Sequence, residues 1–393
     1  MKPRNDSTVA ARSGVCADTQ HGAVMPPLHL SANFSFESFG KKRAYDYTRS
    51  GNPTRDLFAA ALAELEHGSG AVVTSTGMSA VALVLELLEP GARVLAPHDG
   101  YGGTWRLLRA RERQRRIEVE LVDMRDAAAL AAALARRPAL VWIETPSNPL
   151  LRITDVRSVA AAAHAAGALV ACDNTFLSPV LQKPLDLGAD LVVHSTTKYI
   201  NGHSDVVGGA VVARNPELVQ QLAWWANCTG ITGAPFDSYL ALRGLRTLPL
   251  RMRAQQQSAG ELATALEGHA GVREVHYPGL GAMLSFEVEG GAAAVERFLA
   301  PLEHFTLAES LGGVESLVAH PATMTHASMD EAARATAGIT PGLVRLSIGI
   351  EDARDLWLDL ERGLSAAAAS DPRSRGTSFP GRRCSAGTSP HPV

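Results

Sequence analysis

From residue 71 to about residue 214, short β-branched runs alternate with alanine-rich stretches that carry a helical period. The runs are Ala71–Val73, Arg93–Ala96, Val119–Val122, Leu140–Ile143, Leu169–Cys172, Leu191–Val193 and Val207–Val212. Between most of them lie Ser79–Leu88, Trp105–Arg115, Ala127–Ala135 and Val156–Ala166, each with apolar residues spaced for a helix face. Near-continuous apolar strands separated by helices predict a parallel sheet covered on both faces, with its functional site at the carboxyl ends of the strands. Before this region the chain has no sustained apolar period. Gly51-Asn52-Pro53 is a turn signal, and Thr54 is the expected N-cap of a helix through Leu57, Phe58, Ala61 and Leu65. After it, residues 235–269 read as helical with a break at Pro249. Two more strand-like runs follow, Met283–Val288 and Val344–Ile350, among helices. No internal repeat is visible.

The expected organisation is an arm over residues 1–60, a large α/β domain over 61–250, a smaller α+β domain over 251–364, and a disordered tail over 365–393. The tail is Ser, Ala, Pro, Gly and Arg with almost nothing to bury. A length of 393 residues allows two or three domains and a core that needs no staples. Charge is nearly balanced, with 37 basic against 40 acidic residues, which argues against a general nucleic-acid or membrane-surface binder. Cys16, Cys172, Cys228 and Cys384 show no paired spacing, so neither a disulfide scaffold nor a zinc ribbon is expected, and no metal site. No signal-peptide pattern and no membrane-length apolar run stand in the sequence. A cytoplasmic protein is expected.

Only five lysines occur: Lys2, Lys41, Lys42, Lys183 and Lys198. Lys198 follows an apolar run, in His194-Ser195-Thr196-Thr197-Lys198-Tyr199. A lysine in such a setting is costly to keep charged and is suited to Schiff-base chemistry. Asp173, in Cys172-Asp173-Asn174-Thr175-Phe176, ends the preceding strand, where a carboxylate can hold a protonated ring nitrogen. Thr74-Ser75-Thr76-Gly77-Met78-Ser79 lies between a strand and a helix, which presents free amides to an anion; it is neither a Walker loop nor GxGxxG. Tyr101 follows a further strand and offers a ring for stacking. An anion cradle, a ring-nitrogen carboxylate and a Schiff-base lysine together describe a pyridoxal phosphate (PLP) site. Elsewhere the ordinary readings prevail. Arg109, Arg111, Arg113, Arg115 and Arg116 form a solvated helix face, His194 and His203 are hydrogen-bonding residues, Trp224-Trp225 packs a helix, and Cys172 is a small buried residue. Lys183 is a surface residue before Pro184.

These segments, with Tyr47-Thr48-Arg49-Ser50-Gly51-Asn52-Pro53-Thr54-Arg55, Glu144-Thr145-Pro146-Ser147-Asn148-Pro149 and Ala308-Glu309-Ser310-Leu311-Gly312-Gly313, resemble the Cys/Met-metabolism family of PLP enzymes from His21 to Leu364. The resemblance implies the fold of PLP-dependent transferases of the aspartate-aminotransferase type, with a mostly parallel seven-stranded sheet in the large domain and a smaller C-terminal α+β domain. It implies that Lys198 is the covalent attachment point, Asp173 holds the pyridinium nitrogen and Tyr101 stacks on the ring. Gly77 and Met78 amides and Ser195 and Thr197 hydroxyls would bind the phosphate. Tyr47 and Arg49 would reach the phosphate of a neighbouring subunit, in a dimer commonly found within a tetramer. Arg345 would clamp the substrate α-carboxylate with Asn148 and Ser310.

The implied reaction is γ-replacement, O-succinylhomoserine plus L-cysteine giving cystathionine and succinate. Glu309 and Arg106 favour it, Arg106 being placed to pair with a distal carboxylate. Cystathionine γ-cleavage and sulfhydrylation of O-succinylhomoserine are the alternatives. One departure stands out: Leu280 joins Gly281 directly, where the family carries a loop and a helix. A second reading follows from it, a PLP-fold protein that does not turn over because its small domain is compromised.

Overall fold

The computed structural model describes residues 4–327 and 329–369. Lys2, Cys384 and the expected tail from residue 370 onward lie outside the described residues. Seven strands form the larger sheet: β1 (Gly70–Thr74), β2 (Ala92–Pro97), β3 (Ile117–Val122), β4 (Leu140–Glu144), β5 (Leu169–Asp173), β6 (Leu191–His194) and β7 (Gly209–Ala213). Their order is β1-β7-β6-β5-β4-β2-β3. Strands β2 to β6 pair in parallel, while β7 runs antiparallel to both β6 and β1. The sheet is therefore mostly parallel, as the family implies, and the uniformly parallel expectation from the alternating runs fails at β7. That strand returns directly from the Lys198 loop with no crossover helix, so it can only come back antiparallel.

Strand periodicity explains how both faces are filled. Trp142, Ala171, Val193 and Val211 turn to one face, against Ala80, Val84, Leu108 and Leu222 from the helices Gly77–Leu85, Gly102–Arg113 and Pro216–Thr229. Their sequence neighbours Ile143, Cys172, Val192 and Val212 turn to the other. That second face is covered by the helices Pro53–Glu66, Ala127–Leu134, Val156–Ala165 and Pro235–Leu245. Cys172 is fully buried there, a packing residue as expected.

The second sheet has five strands, β8 (Val272–His276), β9 (Met283–Val288), β10 (Thr306–Leu307), β11 (Leu317–Ala319) and β12 (Leu343–Ser347), in the order β10-β11-β12-β9-β8. Of these only β9 and β12 are foreseen by apolar pattern. Strand β8 is too exposed to show one, and β10 and β11 are only two and three residues long. Val344 and Leu346 enter a core with Phe286, Phe298, Leu356 and Leu360, so the intervening Arg345 must face the other way, toward the large sheet. This alternation aims the arginine.

Several boundaries differ from expectation. Asn52, not Thr54, caps the helix Pro53–Glu66, its side chain accepting from the amides of Thr54 and Arg55, with Pro53 in the first turn. The residue 1–60 segment contains a short helix, Asp6–Arg12, whose Asp6 pairs with Lys183 at 2.8 Å; Lys183 also donates to Pro179 O, and is a tethered residue rather than a free surface one. The helical break falls at Arg246–Thr247, and Pro249 sits in the first turn of Leu248–Glu267, where its missing N–H costs nothing. Strand β7 starts at Gly209 rather than Val207, and β12 stops at Ser347 rather than Ile350. The last helix, Ala353–Ala368, runs four residues into the segment expected as tail, Ala367 being buried against the small-domain core. Where Leu280 meets Gly281, the antiparallel pair β8–β9 is closed by a short connection. Gly279 and Gly281 take φ of +79° and +80°, the Gly281 amide donates to Gln256 Oε1 at 2.9 Å, and Tyr277 Oη donates to Gly281 O. Among the described residues no helix is long and apolar enough to cross a membrane.

Candidate active site

The carboxyl ends of β4, β5 and β6 open into a cavity of about 650 Å³. Arg345 and Ser310 close it from the small-sheet side. The site therefore lies where two independently packed sheets meet.

Lys198 lies in the turn after β6, and its Nζ donates to Ser310 Oγ at 2.7 Å. Burial, reinforced by the nearby Arg345 charge and opposed by Glu309, pulls its ammonium pKa down to about 8. Ser310 holds φ at +98°, a left-handed value that costs a non-glycine residue energy and recurs at functional sites. Gly312 (φ +75°) passes so close to the lysine segment that a Cβ there would lie 2.7 Å from the Tyr199 amide.

Asp173 ends β5 and turns to the same face as Ala171, toward the cavity. Its Oδ1 accepts from the Thr175 amide at 3.0 Å, and burial raises its pKa despite that bond. Glu144 stands beside it, in register on β4. Glu144 Oε2 accepts from the Tyr101 amide at 2.8 Å, and burial followed by the charge of Asp173 pushes its pKa well above the carboxylate range. The Tyr101 ring lies on Gly103, where a Cβ would come within 2.5 Å of the ring edge.

Opposite, Gly77 and Met78 open the helix Gly77–Leu85, and Thr76 caps it by accepting from Ser79 N. The Gly77 and Met78 amides donate to no protein acceptor among the described residues. Gly77 approaches Ser195 so closely that a Cβ would meet its Cβ at 2.7 Å. Thr197 Oγ1 is engaged, donating to Gly208 O at 3.1 Å and accepting from Gly208 N. Unpaired amides at a helix N-terminus, with the Ser195 hydroxyl against them, suit a phosphate dianion. A buried carboxylate with a free oxygen suits a pyridinium, and a lysine whose pKa is lowered to about 8 suits a carbonyl. The residues present fit pyridoxal phosphate.

Arg345 is buried, its pKa lowered to about 10 by desolvation, and it stays charged at neutral pH. Its Nη1 donates to Asn148 Oδ1 at 2.9 Å and its Nη2 to Ser310 O at 3.0 Å, while Nε has no partner among the described residues. Arg106 and Glu309 are exposed and line the cavity. Arg106 sits in the helix Gly102–Arg113, which begins three residues earlier than expected, and makes no ion pair among the described residues. Its neighbours Arg109 and Arg111 do, with Glu112 and Glu86, as a solvated face should.

Tyr47 and Arg49 are not brought to this cavity. Arg49 stands 5.6 Å over the Tyr47 ring and donates to Asn227 O. Trp224 is exposed, edge-on to Trp225 at 4.8 Å, rather than packed inward as a helix core residue. His203 hydrogen-bonds Asn201 O through Nδ1, as expected for a structural residue. Sequence reasoning missed His326, whose Nε2 donates to Asn148 O at 3.0 Å and thereby steadies the residue that orients Arg345. Burial lowers its pKa to about 4, so it is neutral at ordinary pH. It has no apolar run before it to mark a strand end. Glu144 was findable, since it stands at a strand end as Asp173 does.

A family model described as Cys/Met metabolism PLP-dependent enzyme matches residues 7–365. The chain belongs to that family. It is an enzyme of the PLP-dependent transsulfuration class. It is 52% identical over 381 residues to cystathionine gamma-synthase of Escherichia coli strain K12, covering 93% of this chain and 99% of that protein. It is 42% identical over 373 residues to cystathionine gamma-lyase of Bacillus subtilis, covering 91% and 98%. The crystal structure of cystathionine gamma synthase from Xanthomonas oryzae pv. oryzae in complex with cystathionine superposes with a TM-score of 0.92 at 61% identity, covering 93% of this chain and 99% of that one.

The depressed lysine predicts a pH profile. Only the neutral amine attacks a carbonyl, and Lys198 becomes mostly neutral above its pKa of about 8 rather than above the ordinary lysine value. Reloading of cofactor-stripped protein with pyridoxal phosphate, followed by absorbance, is expected to speed up roughly tenfold from about pH 7 to about pH 9 and then level off. A rate that keeps climbing beyond about pH 10 marks an ordinary exposed lysine instead.

Proposed function

We propose that this enzyme catalyses γ-replacement, exchanging the succinyloxy group of O-succinylhomoserine for the thiol sulfur of L-cysteine. The Cγ–O bond breaks, a Cγ–S bond forms, and the thiol proton balances release of succinate. The observation that carries this reading is a cavity with two separated arginines, buried Arg345 at the small-sheet end and unpaired Arg106 at the mouth, with Lys198, its pKa lowered to about 8, in the same cavity. A substrate with an α-carboxylate and a distal carboxylate matches that charge pattern. The similarity to synthases of Escherichia coli and Xanthomonas oryzae supports it.

Bound pyridoxal phosphate supplies an electron sink for charge developing at the substrate's α and β carbons. Asp173 would hold the ring-nitrogen proton, and Tyr101, its loop fixed by Glu144, would offer its ring to the cofactor. The Gly77 and Met78 amides and Ser195 would hold the phosphate, with Thr197 bracing the loop through Gly208. Lys198 would be the covalent anchor and then the base that moves protons at Cα and Cβ, a role its lowered pKa favours. Arg345 takes the α-carboxylate on its planar fork, oriented by Asn148 and Ser310. Glu309 lines the same cavity, where its charge would favour a substrate ammonium.

The attachment point is tested first. Borohydride reduction of the yellow protein followed by peptide mapping is expected to place the pyridoxyl group on Lys198. Lys198→Ala is expected to lose both the label and turnover. A label on Lys183 sinks the assignment.

Substrate choice is tested at Arg106. Removing a charge-assisted pair costs roughly 1.5–3 kcal/mol, so Arg106→Ala is expected to lower kcat/KM for O-succinylhomoserine about tenfold or more. Activity on a homoserine ester without the distal carboxylate falls much less, and the cofactor spectrum stays as in the parent. Equal losses on both esters return Arg106 to a solvated helix face. Assaying cystathionine cleavage alongside separates replacement from γ-elimination.

We also infer a homodimer, assembled further into a tetramer, in which Tyr47 and Arg49 serve a neighbour's phosphate. Both lie outside this chain's cavity, in a segment that exposes Phe36, Phe39 and Tyr47. Co-expression of Lys198→Ala with Arg49→Ala chains is expected to restore activity that neither variant has alone, because about one quarter of the sites draw both intact residues. No recovery in a demonstrated mixed dimer contradicts the shared site.

A further inference from the structure

The helix Pro53–Glu66 packs Phe58, Leu62 and Leu65 against the back of the large sheet, yet ends in a carboxylate with no solvent exposure. Glu66 Oε1 accepts from Asn174 Nδ2 at 2.9 Å and from His194 Nε2 at 2.7 Å. Both partners are also fully enclosed. Glu66 Oε2 and His194 Nδ1 make no hydrogen bond among the described residues. An acid in so dry a place is costly, and apolar residues of similar volume commonly replace buried ionic groups without loss of stability. Packing alone does not explain why a carboxylate is there.

The placement of its partners does. Asn174 directly follows Asp173, and His194 directly precedes Ser195. Successive residues of an extended chain point to opposite faces. Asp173 and Ser195 line the cavity, while Asn174 and His194 turn to the back, where one oxygen of Glu66 grips both. The bonds continue on the cavity side, from Ser195 N to Thr175 Oγ1 and from Thr175 N to Asp173 Oδ1. Asn174 is further locked to Gln182 through both ends of its amide.

We propose that Glu66 is a positioning residue for the cofactor: by holding Asn174 and His194 together, it sets the spacing between the ring-nitrogen carboxylate Asp173 and the phosphate-side Ser195. The inference rests on the roles proposed above for those two residues. Glu66 itself touches neither cofactor nor substrate.

The test compares holoenzymes carrying Glu66→Ala, Glu66→Gln and Asn174→Ala, reading the visible circular dichroism of the bound cofactor and its release rate on dilution, with kcat and KM alongside. Glu66→Ala orphans two buried donors. It is expected to release pyridoxal phosphate roughly tenfold faster, equivalent to about 1.4 kcal/mol. It is also expected to alter the dichroism and to lower kcat with little change in KM. Glu66→Gln keeps an acceptor oxygen and restores most of the cofactor affinity. Asn174→Ala leaves the Glu66–His194 pair intact and shifts release and dichroism in the same direction, which keeps the test decisive if Glu66→Ala does not fold. Parent-like dichroism and release in both alanine variants overturn the proposal. Asp173→Asn is the reference: if it leaves the cofactor spectrum unaltered, the assigned role of Asp173 has failed, whereas a changed Asp173→Asn with parent-like Glu66→Ala and Asn174→Ala rejects only the role of Glu66.

Discussion

Arg345 is the group on which the two halves of this structure depend. Its guanidinium is buried and charged, so it must be met by acceptors or its desolvation goes uncompensated. One acceptor, Asn148 Oδ1, comes from the loop after β4 of the large sheet, and the other, Ser310 O, from the loop leading into β11 of the small one. Ser285, opposite Arg345 on β9, adds a bond to Pro149 O. These polar contacts lie on the face of the small sheet that its hydrophobic core does not use. The same face that would waste a strand's polar positions on solvent instead registers the small domain against the cavity.

The same alternation shapes the large sheet. At the ends of β4 and β5, Glu144 and Asp173 turn to the cavity, and Asn174, next after Asp173, turns to the back. Each strand end therefore has a working side and a fastening side. Glu66, Asn174 and His194 occupy the fastening side, while Arg251, also buried, uses its guanidinium to hold Tyr199 O and Ile200 O just beyond Lys198, together with Gly244 O of the helix Pro235–Leu245. A lysine whose loop is fixed this tightly keeps its position while burial, with the nearby Arg345 charge, depresses its pKa.

The short β8–β9 connection bears on the small domain without reaching its core. Phe286, Phe298, Val344 and Leu346 close around Leu356, Leu360 and Leu364 of the last helix. Two left-handed glycines and the Gln256 side chain complete the turn. The five-stranded sheet that carries Arg345 is formed, and Arg345 reaches Asn148 across the boundary.

What the sequence by itself determined is the set of elements with strong local signals. The inner strands of the large sheet are legible because burial on both faces demands apolar runs, while edge strand β3 shows through an apolar pattern interrupted by Glu118 and Glu120. Asp173 and Lys198 are legible because a charge directly after such a run is conspicuous. Short strands such as β10 and β11, the antiparallel return of β7, and the choice of Asn52 over Thr54 as a cap were left to the tertiary structure, since each depends on which neighbour supplies the hydrogen bonds. So was the backing of the site. Glu66 is 128 residues from His194 in sequence, and Asn148 is 197 from Arg345. No local pattern encodes a pairing over such distances. It arises only when packing brings a helix end, or a second sheet, against the strand termini and leaves a buried charge with one set of partners in reach.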